Sequence, residues 1–392
     1  MTTIYLKKHK EESLLRFHPW VFSGAIGHIQ GKLSEGDLVR VCSAEGDILG
    51  VGHWQNGSIA VRILEFGKGT LPQDFWEKRI EEAYRMRLSL GLVRPDNNTY
   101  RLVHGEGDFM PGLIIDIYDD TAVLQAHSAG MHIARQLIAE AVKKTVPEVK
   151  NVYYKSEGTL AMKNTFPDIA DGYLIGKEST CLAKENGLIF SIDWLRGQKT
   201  GFFVDQRENR AMVERYSHGR RVLNMFCYTG GFSVYALRGG AELVHSVDSS
   251  GKAIELVNQN VERNFPHCNL HQAFCSDAFD FMNNSTNNTY NLIILDPPAF
   301  AKHRGAIRNA LQGYKRLNAK AIEQIAPGGI LFTFSCSQAV DKEMFRLAVF
   351  SAAAMAGRRV RILHQLTQPQ DHPVNIFHPE GEYLKGLVLY VE

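Results

Sequence analysis

The sequence has no apolar run long enough to cross a membrane, a task that takes about 20 residues in a helix. Its first eight residues, Met1 to Lys8, are not followed by the apolar core of a signal peptide. Its six cysteines are scattered, and none forms a Cys-x-x-Cys pair, which argues against a zinc site and against a disulfide framework. We therefore expect a cytoplasmic protein without a bound metal.

Charge of one sign is also scarce, because the formal net charge is +2 over 392 residues. So small an excess does not imply a nucleic-acid partner, and any such inference must come from local clusters of cations. With 44% hydrophobic and 22% charged residues, the composition is that of a globular protein. The length is sufficient for two or three domains.

The pattern of apolar residues predicts three domains. Residues 1–70 contain short alternating runs separated by Gly-Asp and Asn-Gly turns, which indicates a β-rich domain. Residues 71–184 open with an amphipathic helix, Gln73 to Leu90, and continue as a β-β-α-β block with an irregular end from Glu157 to Glu185. From residue 185 to 392 strands and helices alternate, which predicts an α/β class domain with a doubly wound, Rossmann-like parallel sheet.

Aromatic residues cluster near the start of the chain, from Arg16 to Gly24. One interpretation is an aromatic core around a proline turn. The other is a surface on which His18 and Trp20 stack on unpaired bases, beside nearby lysines that contact phosphates. The segment His18 to Gly24, followed by a Gly-Asp turn, resembles the RNA-binding PUA domain.

A strand that starts at Arg221 turns through Gly230 and Gly231 into a helix predicted from Phe232 to Leu237. Glycines let a backbone approach a ligand closely, and a helix N-terminus presents free N–H groups. The turn therefore predicts a nucleoside cofactor site, to which we assign the residues Phe226, Tyr228, Thr229, Gly230 and Gly231. It is not a Gly-x-Gly-x-x-Gly motif, so we do not expect a dinucleotide.

Three acids follow successive predicted strands of this domain. Asp248 comes about 20 residues after the glycine turn, where a carboxylate holds the two ribose hydroxyls of a nucleoside. Asp277 follows the next strand and could accept from an adenine amino group. Asp296 ends the buried run Leu292 to Leu295, and Pro297 and Pro298 stop that strand. Taken singly, Asp248 or Asp277 could instead be a loop acid or a helix cap.

The order of glycine turn, Asp248, Asp277 and Asp296-Pro297-Pro298-Ala299-Phe300 resembles a class I S-adenosylmethionine-dependent methyltransferase between Arg221 and about Ser337. The resemblance implies that S-adenosylmethionine is the cofactor. Asp-Pro-Pro followed by an aromatic residue first suggests methylation of an exocyclic amine. In that case Asp296 and a proline carbonyl accept the amine hydrogens while Phe300 stacks on the base.

A second candidate residue, Cys336, stands between two serines in the stretch Gly328 to Ser337, which predicts a turn and a buried strand that ends at the same edge as Asp296. A cysteine at this position is often a small buried hydrophobe. The functional interpretation is that Cys336 is a catalytic nucleophile. Carbon 5 of a pyrimidine is a poor nucleophile until a thiolate adds to carbon 6, and a cysteine supplies that thiolate. Asp296 would then hydrogen-bond N3 and the amine of the base and stabilise the charge that develops on the ring.

Ser335-Cys336-Ser337 after Asp296-Pro297-Pro298 resembles the RNA cytosine-C5 methyltransferases. Together with His18-Pro19-Trp20, Gly201 to Arg207, Asp371-His372-Pro373 and Pro379 to Gly386, the chain resembles the bacterial ribosomal RNA large subunit methyltransferase I family. The resemblance implies 5-methylcytosine formation in large-subunit (23S) ribosomal RNA, with Cys336 and Asp296 as catalytic residues. It also implies an N-terminal PUA domain, a homodimer, and a cofactor pocket closed by Phe202, Asp205 and Gln206.

The sequence departs from that family at Ala299, where lysine is common, and it lacks the second cysteine of other RNA cytosine methyltransferases. The group that removes the carbon 5 proton is therefore unassigned.

Cations are concentrated after the proposed base pocket. Between Pro297 and Ile322 there is no acid, and the substrate-binding residues that we predict there are Pro297, Pro298, Phe300, Lys302, Arg304, Arg308, Lys315 and Arg316. A run of cations is often only a solvated helix face. Beside a methyl-transfer site, however, it favours phosphate positioning of an RNA whose base is unpaired or flipped.

Three alternatives stay open from the sequence. An amine-methylating enzyme, acting on adenine N6 or guanine N2 of RNA or DNA, does not need Cys336. A methyltransferase for small molecules or proteins has no use for an RNA-binding N-terminal domain. A non-catalytic RNA-binding protein does not bind S-adenosylmethionine.

Overall fold

The computed structural model describes residues 1–160, 165–177, 179–301 and 303–392. The chain divides into two compact units, each built from more than one segment. The first unit comprises Met1–Gly187, Ile192–Val204 and Gln370–Gly381, and the second comprises Leu188–Ser191, Asp205–Pro369 and Glu382–Glu392. Within the described residues, no helix combines the length and the apolar character needed to cross a membrane.

The first unit starts with a six-stranded sheet in the order β2-β6-β5-β4-β1-β3. Its elements are β1 (Thr3–Leu6), α1 (Glu12–Leu15), β2 (Trp20–Phe22), β3 (Ile26–Gln30), β4 (Leu38–Cys42), β5 (Ile48–Trp54) and β6 (Ile59–Phe66). Buried side chains such as Ile4, Val39 and Val61 fill its core. The alternating runs of the sequence predict β4, β5 and β6. The strands β1, β2 and β3 are present in the structure but were not predicted. These three strands are short or aromatic, and they form through pairing with distant parts of the chain.

A five-stranded sheet in the order β11-β10-β9-β8-β7 forms the rest of this unit. Its elements, with one further strand, are α2 (Phe75–Ser89), β7 (Thr99–His104), β8 (Leu113–Tyr118), β9 (Thr121–Ala126), α3 (Ala129–Ile133), α4 (Arg135–Thr145), β10 (Asn151–Tyr154), β11 (Gly172–Ile175) and β12 (Leu182–Glu185). The single helix of the predicted β-β-α-β block corresponds to α4, which the short helix α3 precedes, and β11 and β12 lie in the stretch predicted to be irregular. All four residues of the edge strand β11 are half-buried, so its apolar signal is weak.

The second unit holds a seven-stranded sheet in the order β16-β15-β14-β17-β18-β20-β19. Its elements are β13 (Leu188–Ser191), α5 (Arg207–Tyr216), β14 (Arg221–Met225), α6 (Gly231–Arg238), β15 (Leu243–Asp248), α7 (Gly251–Asn264), β16 (His271–Cys275), α8 (Ala278–Asn284), β17 (Leu292–Leu295), α9 (Ile307–Gln324), β18 (Gly329–Ser335), α10 (Lys342–Ala356), β19 (Val360–Leu366) and β20 (Lys385–Val391). The strands from β14 to β18 are parallel, and β20 runs antiparallel between β18 and β19. This is the doubly wound sheet that the sequence predicts.

Strand β17 lies at the centre of this sheet, and all four of its residues are buried. Central strands covered by helices on both faces are apolar throughout, which explains the unbroken run Leu292 to Leu295. Parallel strands end at a common edge, and ligands bind at that edge in open α/β sheets. The residues that follow β14, β15, β17 and β18 therefore form the candidate site.

Candidate functional site

The glycine turn connects β14 to α6 through backbone conformations that most residues avoid. Gly230 precedes the helix with φ +78°, and Phe226 and Tyr228 also have positive φ values. A Cβ at Gly230 would lie 3.0 Å from Val257 Cγ1, so the turn is packed closely against α7. Only glycine adopts this conformation without strain. The predicted turn from β14 into α6 is therefore present, and the cofactor site at this turn stays a prediction.

Asn260, which the sequence analysis missed, fixes this turn from α7. Its Nδ2 donates to the carbonyl of Thr229 at 2.9 Å, and its Oδ1 accepts from the backbone N–H of Ser191 at 2.7 Å. Asn260 is fully buried, which is unusual for an amide unless it is hydrogen-bonded. No local pattern distinguishes it from a solvent-facing asparagine of a helix, because its partners are distant in sequence.

The carboxylates of Asp248 and Asp277, near the ends of β15 and β16, accept hydrogen bonds from different parts of the backbone. Asp248 accepts hydrogen bonds from the backbone of Tyr228 at 3.0 Å and of Ser250 at 2.9 Å, so it lies against the glycine turn with carboxylate lone pairs left for ribose hydroxyls. Asp277 caps α8, because its Oδ1 accepts from Phe279 N and Asp280 N. The alternative of a helix cap is therefore realised at Asp277, and its exposed carboxylate has its second oxygen for any further partner.

Asp296 follows β17 directly and lies against residues at the start of α5. Burial is the largest cause that raises the pKa of its carboxyl, and the nearby carboxylate of Asp205 adds to it. A hydrogen bond from Gln206 and the charge of Arg210 oppose the rise, and the resulting pKa is about 7. Both Gln206 and Arg210 are buried. The carboxyl of Asp296 is thus distributed between its acid and ionised forms near neutral pH, which suits a group that exchanges a proton with a base.

Asp205 does not cap α5, although its spacing from Glu208 is that of a capping box. Its Oδ2 accepts from the hydroxyl of Tyr383 at 2.6 Å, and Oδ1 is buried with no hydrogen-bond partner among the residues that the structure describes. A buried carboxylate oxygen in that state is unfavourable unless a cation or a donor reaches it. S-adenosylmethionine carries a sulfonium and an ammonium group, so the carboxylates of Asp205 and Asp296 fit this cofactor.

Phe202, the third residue predicted to close the cofactor pocket, lies in the first unit. It is buried, and its carbonyl accepts a hydrogen bond from Tyr118 at 3.3 Å. Asp205 and Gln206 lie in the second unit with Asp296. Within the second unit, the structure therefore groups Asp205 and Gln206 with Asp296.

Cys336 follows β18 by one residue and is half-buried. The hydroxyl of Tyr314, on α9, lies 2.9 Å from the Oγ atoms of both flanking serines, Ser335 and Ser337. Ser337 Oγ also accepts from the backbone N–H of Ala301 at 3.2 Å. These bonds connect the cysteine segment to the loop that follows Asp296. The position of Cys336 is therefore fixed by side chains on both sides of it.

Of the residues predicted to contact the base, Pro297 is buried and Pro298 is exposed. Phe300 packs on Tyr314, with 4.7 Å between the ring centroids, and against Gly313. Its half-buried ring thus supports α9 as well as the loop.

The predicted phosphate contacts are only partly described. Lys302 lies outside the described residues, and so does the side chain of Arg304. Arg308 and Arg316 are exposed and Lys315 is half-buried on α9. Arg316 also lies over the ring of Phe279, 5.4 Å from its centroid. Arg308 and Lys315 are seven residues apart and therefore share one face of the helix.

His18 and Trp20 lie in the first unit, around β2. Trp20 donates its indole N–H to Glu106 at 2.9 Å, and its ring packs 4.3 Å from that of His378. Both His18 and Trp20 remain half-buried. They are thus part of an aromatic cluster that is partly open to solvent, and base stacking by these two rings stays a prediction.

Three potential metal ligands, His18, His378 and Glu380, also meet in this cluster. His18 Nδ1 accepts the backbone N–H of Trp20 at 3.2 Å, so the ring proton of neutral His18 lies on Nε2, the atom that faces Glu380 at 3.6 Å. A histidine that binds metal instead donates from its second nitrogen. The cluster therefore fits a hydrogen bond from His18 to Glu380 better than a metal ion.

Comparison with known sequences places this geometry in a family. A profile of S-adenosylmethionine-dependent methyltransferases matches residues 139–376, and a profile of PUA-like domains matches residues 4–66. A protein of Aeromonas hydrophila named ribosomal RNA large subunit methyltransferase I is 40% identical over 99% of this chain and 98% of its own length. A protein of Tolumonas auensis with the same name is 38% identical over 99% of each chain.

Solved structures support the fold. One described as a methyltransferase complexed with SAH has a TM-score of 0.85 at 23% identity, and a protein from Streptococcus mutans described as a SAM-dependent methyltransferase has a TM-score of 0.84 at 22% identity. Both alignments cover 100% of each chain. The chain therefore belongs to the ribosomal RNA large subunit methyltransferase I family, and its cofactor is S-adenosylmethionine.

Proposed function

We propose that this protein methylates carbon 5 of a cytosine in large-subunit ribosomal RNA and that Cys336 is the nucleophile. The RNA substrate is carried over from the name shared by relatives that align over nearly the whole chain. The observation that carries the chemistry is the position of two residues. Asp296 follows β17 by one residue, Cys336 follows β18 by one residue, and these two strands are adjacent and parallel.

Cys336 performs the covalent step in this proposal. Its thiolate bonds to carbon 6 of the cytosine, and the electron pair of the 5,6 double bond then makes carbon 5 nucleophilic. Bound S-adenosylmethionine supplies an electrophilic methyl group. Loss of the carbon 5 proton afterwards re-forms the double bond, and the thiolate of Cys336 leaves carbon 6. The hydrogen bonds between the Tyr314 hydroxyl and the two serines beside Cys336 hold the cysteine segment in place during these steps.

Asp296 polarises the base. In its protonated form the carboxyl donates to N3 of cytosine and accepts from the 4-amino group, which matches the acceptor and the donor on that edge. Negative charge develops on the ring as the thiolate adds, and a proton shared with N3 neutralises it. A pKa of about 7 keeps enough of this protonated form at neutral pH.

The cofactor lies at the ends of β14 and β15 in this proposal. Asp248 binds the ribose hydroxyls, the turn from Phe226 to Gly231 lines the site, and Asp277 accepts from the adenine. Asp205 and Gln206 lie near the charged end of the cofactor beside Asp296. The role of Phe202 in closing the pocket stays a prediction.

We also assign RNA binding to residues 1–70 and to α9, with residues 71–184 as a connecting domain and 185–392 as the methyltransferase domain. His18 and Trp20 would contact the RNA in the first of these. A ribosomal RNA substrate implies a cytoplasmic location. The homodimer stays a prediction of the resemblance.

Nucleoside analysis tests the proposal. Unmodified ribosomal RNA is incubated with the full-length chain and methyl-labelled cofactor, digested, and separated into nucleosides. We expect the label in 5-methylcytidine and its loss in Cys336→Ala. Label in N6-methyladenosine or N2-methylguanosine that persists in Cys336→Ala would instead support amine methylation, the reaction that the sequence Asp296 to Phe300 also suggests.

A further inference from the structure

A buried lysine lies next to the cysteine segment. Lys385 is the first residue of β20 and pairs with Ser335, the last residue of β18. Its residue exposure is 5%, although lysine is rarely buried without a partner. Its Nζ donates to the carbonyl of Ser337 at 2.6 Å and to that of Tyr383 at 2.7 Å. The ammonium is therefore held at the end of β18, where Cys336 lies.

Lys385 contacts the residues on both sides of Cys336. It pairs through its backbone with the residue before the cysteine and binds through its side chain the carbonyl of the residue after it. Both hydrogen bonds use N–H groups, and a protonated amine has three of them. The ammonium of Lys385 is thus held by two backbone carbonyls, one of which belongs to the residue that follows Cys336.

The charges of the two groups are coupled. Burial lowers the pKa of Lys385 to about 8, and the Cys336 thiolate is the largest influence in the opposite direction. Such an interaction is reciprocal, because a thiolate that favours the ammonium is itself favoured by the ammonium to the same degree. Below pH 8 Lys385 is mainly charged, so this stabilisation is present at neutral pH.

We propose that Lys385 is a positioning residue for the methyl transfer: its ammonium keeps Cys336 as a thiolate, and its two hydrogen bonds orient the cysteine segment. The thiol proton passes to solvent, and Lys385 keeps its own. This inference rests on the proposed function, in which Cys336 is the nucleophile. It also accounts for a buried cation that the reaction otherwise leaves without a role.

Other charged groups act on Lys385 and define the control. Asp341 and Glu382 favour its charged form, and Lys342 opposes it. On α9, the negative charge of Cys336 also contributes to the raised pKa of Tyr314. Lys342 is a useful comparison because it is about half exposed and forms an ion pair with Glu382. Removing Lys342 or Lys385 changes the net charge equally, but only Lys385 is hydrogen-bonded to the cysteine segment.

The test is the rate of alkylation of Cys336 by iodoacetamide between pH 5.5 and 10, since only the thiolate reacts. Mass spectrometry of the tryptic peptide from Ala321 to Lys342 isolates this site, because the peptide contains no other cysteine. The variants are Lys385→Met, Lys385→Arg as the rescue, and Lys342→Met as the control, for which the peptide ends at Arg346.

For Lys385→Met we expect the pH of half-maximal reactivity to rise by about one unit, with about tenfold slower alkylation at pH 7 and an unchanged plateau at high pH. Lys385→Arg and Lys342→Met should follow the wild-type curve. A curve that does not move in Lys385→Met, or a rate reduced by the same factor at every pH, overturns the proposal. The second result would show that Lys385 only supports the fold.

The same variants separate this inference from the proposed function. If Lys385 acts as proposed, Lys385→Met methylates cytosine more slowly than the wild type near pH 7, and the ratio of the two rates at the same pH approaches one toward pH 9. If the alkylation curve shifts but Cys336→Ala still forms 5-methylcytidine, the proposed function fails while the coupling of the two residues stands. A shift without any change in methylation by Lys385→Met overturns the positioning role.

Discussion

The hydroxyl of Tyr314 lies 2.9 Å from the Oγ of Ser337, directly after the cysteine in the chain. The same hydroxyl lies 2.9 Å from Ser335 Oγ, and Ser337 Oγ accepts from Ala301 N. One phenol thus connects α9, the end of β18 and the loop that follows Asp296. Hydrogen bonds in buried networks of this kind fix a unique geometry when every member is satisfied.

Removing that hydroxyl should loosen the network. In Tyr314→Phe the ring still packs on Phe300, but two buried serine hydroxyls lose a partner. We expect the free energy of unfolding in urea to fall by about 1–3 kcal/mol and the methylation rate to fall as well. The control is Tyr216→Phe, which removes an exposed hydrogen bond to His364 and should change stability by less than about 0.5 kcal/mol. Equal effects of the two variants would contradict the role of Tyr314.

Asp296→Asn should reduce the methylation rate about a hundredfold or more. The amide retains a donor and an acceptor for the base but cannot give up a proton. In the wild type, activity should decline as the pH rises through about 7, because the protonated carboxyl is lost. That decline should be absent from the residual activity of the variant. A variant that keeps the wild-type pH profile would show that another group causes it.

The same substitution should stabilise the fold above neutral pH. The folded pKa of Asp296, about 7, exceeds its ordinary value of 3.8, so the folded protein binds this proton more tightly than the unfolded chain. The contribution of Asp296 to the free energy of unfolding is therefore highest below pH 4 and declines until about pH 7. Asp296→Asn should gain up to about 4 kcal/mol over the wild type across this range. Denaturant curves at pH 5 and pH 8 measure the difference, and a constant gain would contradict the assignment.

Gly230→Ala should weaken cofactor binding at least about tenfold. The new Cβ meets Val257 at 3.0 Å, and alanine is strained at φ +78°. The matched control is Gly251→Ala at the start of α7, where an added Cβ has no neighbour within 4 Å. Isothermal titration with S-adenosylmethionine measures both. Equal affinities of the two variants would place the cofactor away from this turn.

The exposed face of α9 should contribute to RNA affinity through phosphate contacts. For Arg308→Ala and Lys315→Ala we expect the slope of log affinity against log salt concentration to decrease by about 0.7 per lost contact on single-stranded RNA. Lys150→Ala, at a well-exposed lysine of the first unit, is the control and should keep the wild-type slope. If all three variants bind alike, α9 is a solvated helix face.

Much of the second unit is predictable because its signals are local. The apolar run of β17, the acid at the end of β15 and the paired glycines are each recognisable within a few residues, and in the structure they form a strand, a strand end and a turn, as predicted. Asp277 shows the limit of this approach. The same spacing suits a ligand acid or a helix cap, and backbone hydrogen bonds in the folded chain identify the cap.

The residues whose roles could not be predicted from the sequence are those with hydrogen-bond partners far away in the chain. Asn260 holds Thr229, 31 positions away, and Lys385 holds Ser337, 48 positions away. Asp205 has the spacing of a capping box, yet its partner is Tyr383. Such contacts depend on the order of strands in the sheet, in particular on β20 lying beside β18. Local propensity contains no information about that order.

Covalent trapping tests the central proposal, the bond between Cys336 and the base, most directly. In RNA that contains 5-fluorocytidine, carbon 5 has no proton to lose after methyl transfer, so the bond from Cys336 to carbon 6 should persist. We predict a protein–RNA adduct on a denaturing gel for the wild type and for Cys275→Ala, which removes an exposed cysteine. Cys336→Ala should form none. An adduct in Cys336→Ala, or none in a wild type that methylates ordinary RNA, would contradict the proposed mechanism.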